Sequence, residues 1–127
     1  MRKLETEGAP KALGPYSQGI EQNGWVFASG QLPIDPATGK MVEGDIKVLT
    51  RRVIGNLEAI LKNAGLGLAD VVRTEVFLTD LSLFKEMNEE YALHFKGDSP
   101  PARQTIQAAA LPLGSPIEIS CIASGRS

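Results

Sequence analysis

The stretch DIKVLTRRVIGNLEAILKNAG, residues 45–65, decides the architecture of this 127-residue chain. Ile46, Leu49, Val53, Leu57, Ile60, Leu61 and Ala64 recur at three- and four-residue intervals, so a helix here carries one continuous apolar stripe. Asp45 is suited to cap its start, and Gly65 to take the left-handed turn that ends it. Arg51, Arg52, Glu58 and Lys62 fall mostly off the stripe and read as a solvated face. A stripe of this kind needs an apolar partner surface, and the flanking sequence supplies strands.

Upstream, Asn23-Gly24 separates two runs, Ser17 to Gln22 and Trp25 to Gly30. An Asn-Gly pair accepts the positive φ values of a type I′ turn, which predicts a hairpin. Met1 to Thr6 reads weakly as an edge strand, and Pro33, Pro36 and Gly39 mark a loop. Downstream, Val71 to Thr79 reads as a strand with Val72, Val76 and Leu78 on one face and Val71, Arg73, Glu75 and Phe77 on the other. Asp80 is placed to cap a second helix with Phe84, Met87, Tyr91 and Phe95 inward, broken by Gly97 to Pro101. Strands over Arg103–Ala109 and Ile117–Ser124 close the chain.

The order β-β-β-α-β-α-β-β predicts an α+β fold, a mostly antiparallel sheet with two helices packed on one face, in a single domain spanning residues 1–127. Two helices leave the other face uncovered. That face carries Phe77, Ile122 and Trp25 or Phe27, an apolar patch that calls for a partner. A homo-oligomer with packed sheets is expected; a monomer whose loops fold over this face is the alternative.

Thirteen basic and 15 acidic residues leave a net charge of −2, which argues against nucleic acid as an obligatory partner. No apolar run approaches the ~20 residues that cross a bilayer, and the start of the chain lacks a secretory-type hydrophobic stretch. A lone cysteine, Cys121, cannot pair within the chain, so a cytoplasmic location is expected. His94 is the only histidine, no zinc-ligand spacing exists, and no metal or phosphate loop is expected. His94 reads as an exposed or half-exposed helical residue and Cys121 as a packed, inert thiol.

What remains is polar residues on strands. Alternation in the last strand puts Ile117, Ile119, Cys121 and Ala123 on one side and Glu118, Ser120 and Ile122 on the other. Glu118 is either a solvent-facing glutamate or, beneath a neighbouring subunit, a partly buried general base. Arg103, delivered by Pro100-Pro101-Ala102, is either an arginine snorkelling at a strand end or a fork for a small carboxylate. An arginine plus a carboxylate base suits addition of water to an electrophilic carbon.

Gly14-Pro15-Tyr16-Ser17-Gln18, Ser29-Gly30-Gln31-Leu32-Pro33, Val76-Phe77-Leu78-Thr79-Asp80-Leu81, Met87-Asn88-Glu89, Pro101-Ala102-Arg103 and Ile117-Glu118-Ile119 occur in this order. Together they resemble the RidA/YjgF family of reactive-intermediate (enamine/imine) deaminases along essentially the whole chain. The resemblance implies a chorismate-mutase-like fold, a homotrimer with pockets between subunits, and no cofactor. It also implies hydrolysis of 2-aminoacrylate, 2-aminocrotonate and their imines, released by pyridoxal-phosphate enzymes, to 2-keto acids and ammonia. By the same resemblance Arg103 clamps the substrate carboxylate and Glu118 positions water. Thr105, where many relatives have cysteine, contributes backbone groups. Tyr16, Ser29, Gly30, Phe84 and Asn88 line the pocket. A non-catalytic small-carboxylate-binding or regulatory protein stands as the alternative; an RNA-directed role and a holdase-like role stand further off.

Overall fold

Asp45 starts the long helix with extended backbone, its side chain accepting from the Val48 amide at 3.1 Å and so satisfying one orphan donor of the first turn. In the computed structural model, which describes residues 1–125, helix α1 runs Ile46–Asn63. Gly65 follows at φ 76°, and the Leu66 amide donates back to the Leu61 carbonyl, the left-handed stop that the sequence predicts. Leu57, Ile60 and Leu61 are wholly buried, each side chain contributing roughly 1.5–3 kcal/mol on transfer from water. Two polar residues share the buried side and donate to nearby carbonyls. Thr50 Oγ1 donates to the Ile46 carbonyl at 2.7 Å, and Asn56 Nδ2 donates to the Leu32 and Ile34 carbonyls at 3.1 and 2.9 Å.

The strands are β1 (Arg2–Leu4), β2 (Gly19–Gln22), β3 (Trp25–Gln31), β4 (Ile34–Asp35), β5 (Lys40–Met41), β6 (Val71–Leu78), β7 (Ala102–Gln107) and β8 (Ile117–Ser124), with helix α2 at Phe84–His94. Six of them form one sheet in the order β1-β2-β3-β8-β6-β7. Every neighbouring pair is antiparallel except β6 and β7, which run parallel across the α2 crossover. Asn23 and Gly24 take φ 52° and 81° in the β2–β3 turn, as a type I′ hairpin requires. Together these elements make the expected α+β fold, with α1 on β3 and β8.

Three details depart from the sequence expectation. Where Pro33, Pro36 and Gly39 predict only a loop, β4 and β5 pair as a small separate hairpin. At the start of β6 the ladder with β8 shifts between Val71 and Arg73, so Val71 is buried while Val72 is exposed. A bulge inverts the parity that strict alternation assumes. Asp80 caps a single 3-10 turn at Leu81–Leu83, accepting from the Ser82 amide at 2.9 Å, and α2 begins only after it. Met87, Tyr91 and Phe95 are buried as expected, but Phe84 is 37% exposed.

The second face of the sheet carries the apolar residues anticipated, and among the described residues no loop covers it: Trp25, Phe27 and Ile106 are all at least 40% exposed. Phe27 pairs with Ile122 across β3 and β8, and Phe77 with Ile106 across β6 and β7.

The two helices are fastened by one buried carboxylate. Glu90 on α2 is 3% exposed and accepts from Arg51 Nε and Nη2 at 3.2 and 3.1 Å, with His94 Nε2 at 2.6 Å. The Arg51 hydrogen bond is the main reason its carboxyl lies below the usual carboxylate range. A depressed folded-state pKa contributes stability that is complete above the unfolded pKa and is lost as pH falls through the folded one. Glu90→Gln is therefore expected to cost about 1–2 kcal/mol at neutral pH, with the gap from wild type narrowing in acid. Thermal melts of both proteins from pH 3 to 8 check this; a gap independent of pH would contradict it.

Candidate active site

Strand β8 is buried at Ile117, Ile119, Cys121 and Ala123 and only partly so at the alternate positions, as the sequence predicts. Glu118 therefore points away from the helices. Toward β3 the ladder slips: Ala28 pairs with Cys121 and Gln31 with Ile119. Three steps on one strand match two on the other, a bulge at Ser29-Gly30. The bulge admits the Glu118 carboxylate, because a Cβ on Gly30 would overlap its oxygen. Ser29 holds the bulge in place, its Oγ donating to the Ser17 carbonyl at 2.6 Å and its amide to the Gln18 carbonyl at 2.9 Å. Tyr16 is exposed, and its hydroxyl accepts from the Leu13 amide at 3.3 Å.

Tyr16, Ser29, Gly30 and Glu118 line one cavity of about 520 Å³, walled by Leu13 and Leu113. No hydrogen bond from the described residues reaches the Glu118 carboxylate, and burial raises its pKa. A larger cavity of about 780 Å³ beside the N-terminal segment shares Tyr16 but neither Glu118 nor Arg103. Volume alone does not locate the chemistry.

Arg103 belongs to the other face. Strand β7 is the sheet edge, and its register sets Arg103 beside Thr74 and Thr105 beside Val76. Both partners are buried beneath the helices, so Arg103 and Thr105 share the helix side. The guanidinium carbon lies 4.8 Å from the Tyr91 ring centroid and 5.5 Å from that of Phe84, a cation held against aromatic faces. None of the ion pairs among the described residues involves Arg103. Helical spacing puts Phe84, Asn88 and Tyr91 on one stripe of α2. Asn88 Oδ1 and Thr105 Oγ1 are buried without a hydrogen-bond partner. Thr105 was expected to serve through its backbone, yet its hydroxyl also lacks a partner here, a state that costs free energy unless something binds.

The site residues thus form two groups. Glu118 pairs in register with Phe77, and Arg103 with Thr74, on opposite faces and two strands apart. Strand geometry separates their Cα atoms by roughly 14 Å. A single chain does not bring the arginine and the glutamate together. Tyr91, assigned only to the core on sequence grounds, stands beside Arg103; its position three residues after Asn88 was the available signal. Cys121 is buried, its thiol pushed up to about 12, and is inert. Among the described residues no group of three His, Cys, Asp or Glu side chains is arranged to hold a metal ion.

The family described as Endoribonuclease L-PSP matches residues 6–124. Reactive Intermediate Deaminase A, chloroplastic, of Arabidopsis thaliana is 50% identical over 121 residues, covering 95% of this chain and 64% of that protein. The crystal structure of RidA from an Antarctic Psychrobacter superposes with a TM-score of 0.93 at 40% identity, covering 98% of this chain and 99% of that one. This chain belongs to the RidA/YjgF family. Another solved relative, E. coli TdcF with bound serine, matches at TM-score 0.92 and 38% identity over 100% of both chains. The fold-class expectation and the family resemblance both hold.

In this RidA/YjgF chain the raised pKa of Glu118 has a consequence opposite in sign to that of Glu90. A carboxyl whose folded pKa is raised destabilises the fold once pH exceeds that value and costs nothing below the unfolded pKa. Glu118→Gln is expected to melt above wild type at neutral pH, the two curves converging in acid. A glutamine variant less stable than wild type at pH 8 would show that the carboxylate is instead held by favourable contacts.

Proposed function

We propose that this protein hydrolyses 2-aminoacrylate, 2-aminocrotonate and their imines to 2-keto acids and ammonia. We place its pockets between the subunits of a homotrimer, pairing Arg103 of one chain with Glu118 of the next. The observation that carries this reading is the placement of an arginine without an ion-pair partner and a desolvated carboxylate on opposite faces of one sheet. Each face exposes half of a site, and the apolar surface around Phe27, Phe77 and Ile106 supplies the contact that would join two halves. Family membership and the deaminase among the relatives support the reaction class.

In this scheme the Arg103 fork holds the substrate carboxylate through paired N–H donors. Orientation removes much of the entropic barrier. Protonation of the enamine's methylene carbon gives an iminium whose C2 is electrophilic. Glu118, its basicity raised by burial, takes a proton from water as the oxygen bonds to C2. The carbinolamine then collapses: the O–H electron pair forms the keto C=O bond as the C–N bond breaks with its pair on nitrogen, nitrogen leaves as ammonia with the proton held by Glu118, and the released hydroxyl proton balances the one consumed at the methylene carbon. Water is the only co-reactant. In this scheme the Thr105 backbone and Asn88 serve on the Arg103 side of the pocket. Tyr16, Ser29 and Gly30 arrive with Glu118.

The serine-bound TdcF structure favours one other reading, a pocket that holds small amino or keto acids without turnover. Ribonuclease chemistry has less support: the one histidine is engaged by Glu90 and lies outside the Glu118 cavity. No helix of the described residues is long and apolar enough to cross a membrane, and a cytoplasmic setting suits the single buried Cys121.

A dehydratase-coupled assay separates these readings, measuring keto-acid release from serine or threonine with and without the protein. Arg103→Ala is expected to abolish the acceleration; Glu118→Gln should keep keto-acid binding while slowing hydrolysis. Arg103→Ala and Glu118→Ala chains, each inactive alone, should recover about a quarter of wild-type activity when refolded together at equal amounts, because every mixed ring of three contains one intact pairing. No recovery in confirmed mixed trimers would rule out the shared site. Unaccelerated keto-acid release with intact binding would establish the holding role.

A further inference from the structure

One buried polar pair lies next to Arg103 without belonging to either half-site. Thr74 and Tyr91 join hydroxyl to hydroxyl at 2.7 Å, Thr74 wholly buried and Tyr91 7% exposed. Thr74 sits in β6 directly across from Arg103 in β7, on the same face. Tyr91 descends from α2, its ring centroid 4.8 Å from the guanidinium carbon and 4.5 Å from the Phe95 ring. Three groups thus close a triangle: the Thr74 hydroxyl holds the Tyr91 hydroxyl, the Tyr91 ring faces Arg103, and the strand register returns from Arg103 to Thr74.

Stability does not account for this pair. Valine and phenylalanine would fill the same space, and replacing both partners of a buried hydrogen bond by apolar groups of like shape is nearly neutral. What the apolar pair would lack is a fixed tilt. With its hydroxyl tethered and the Phe95 ring packed against it, the Tyr91 ring has one orientation to offer the cation. The guanidinium fork is itself rigid, but on a side chain with several rotatable bonds at a sheet edge its orientation is free unless something restricts it. Burial also pushes the Tyr91 hydroxyl up, so at neutral pH it stays protonated and able to hold the bond.

We infer that Tyr91 and Thr74 are positioning residues for Arg103, the threonine setting the plane of the tyrosine ring and the ring setting the plane of the guanidinium that receives a small carboxylate. The inference rests on the carboxylate-binding role proposed for Arg103, and the test keeps the two apart.

The experiment measures binding of 2-ketobutyrate to the full-length protein by calorimetry, together with thermal midpoints, for wild type, Thr74→Val/Tyr91→Phe, Tyr91→Leu and Arg103→Ala. The double variant removes both hydroxyls and leaves no orphan, so its midpoint should stay within a few degrees of wild type. Its Kd is expected to rise about 3- to 10-fold, and that of Tyr91→Leu, which also loses the ring face, by more than about 10-fold. In the coupled assay the loss should fall on KM more than on kcat. A double variant that keeps its midpoint and binds 2-ketobutyrate like wild type overturns the positioning role if Arg103→Ala has lost binding. Should Arg103→Ala also bind like wild type, the failure belongs to the proposed carboxylate site itself. If the double variant melts far below wild type, the hydroxyl pair is structural and the inference falls, whatever the Kd.

Discussion

Everything in this molecule hangs on the two unlike faces of strand β8. One face, from Ile117 through Ala123, is sealed under α1 and is wholly apolar. Its alternate residues place a carboxylate, Glu118, among aromatic and branched side chains that the chain itself leaves open. Because side chains alternate with period two, burying one set forces the other outward. The core therefore dictates where the glutamate goes, and the helical stripe of residues 46–64 dictates the core.

The same alternation, applied to the parallel strand β7, sends Arg103 the other way. Its cation meets aromatic rings rather than a carboxylate, which leaves its hydrogen-bonding fork uncommitted. Glu118 meets desolvation and no donor, which makes it more basic. Each charge is costly to keep unpaired in isolation. Both costs would be offset by a substrate carboxylate and a water held where two sheets meet. Contrast Glu90, more deeply buried yet supplied with Arg51 and His94: that carboxylate joins two helices and has no capacity left for chemistry.

Much of this was legible in residue order. The α1 period, the Asp45 cap, the Gly65 stop and the Asn23-Gly24 turn rest on local stereochemistry, and each formed as read. Alternation in β8 was readable because one face packs uniformly under the helices while the other stays open. Legibility failed where register shifts. The bulge at Val72 exchanged the faces of the first two residues of β6, and the bulge at Ser29-Gly30 opened the niche for Glu118. Hydrogen-bonded ladders between distant segments set both, and neither leaves a local trace. Tyr91 is a core residue as read, but its contact with Arg103 was not legible, because an aromatic covering a cation has the same sequence signature as one covering a leucine.

Residue order by itself determined the main helices and sheet strands, their sequence along the chain, the apolar second face and the family, since those follow from periodicity, turn chemistry and motifs in fixed order. Only the tertiary structure decided that Arg103 and Glu118 stand back to back. The physical reason is the parallel pairing of β7 with β6, which fixes which residues of β7 look toward the helices. Antiparallel and parallel neighbours are compatible with the same run of side chains, and a shift of one residue in that register would have put both charges on one face.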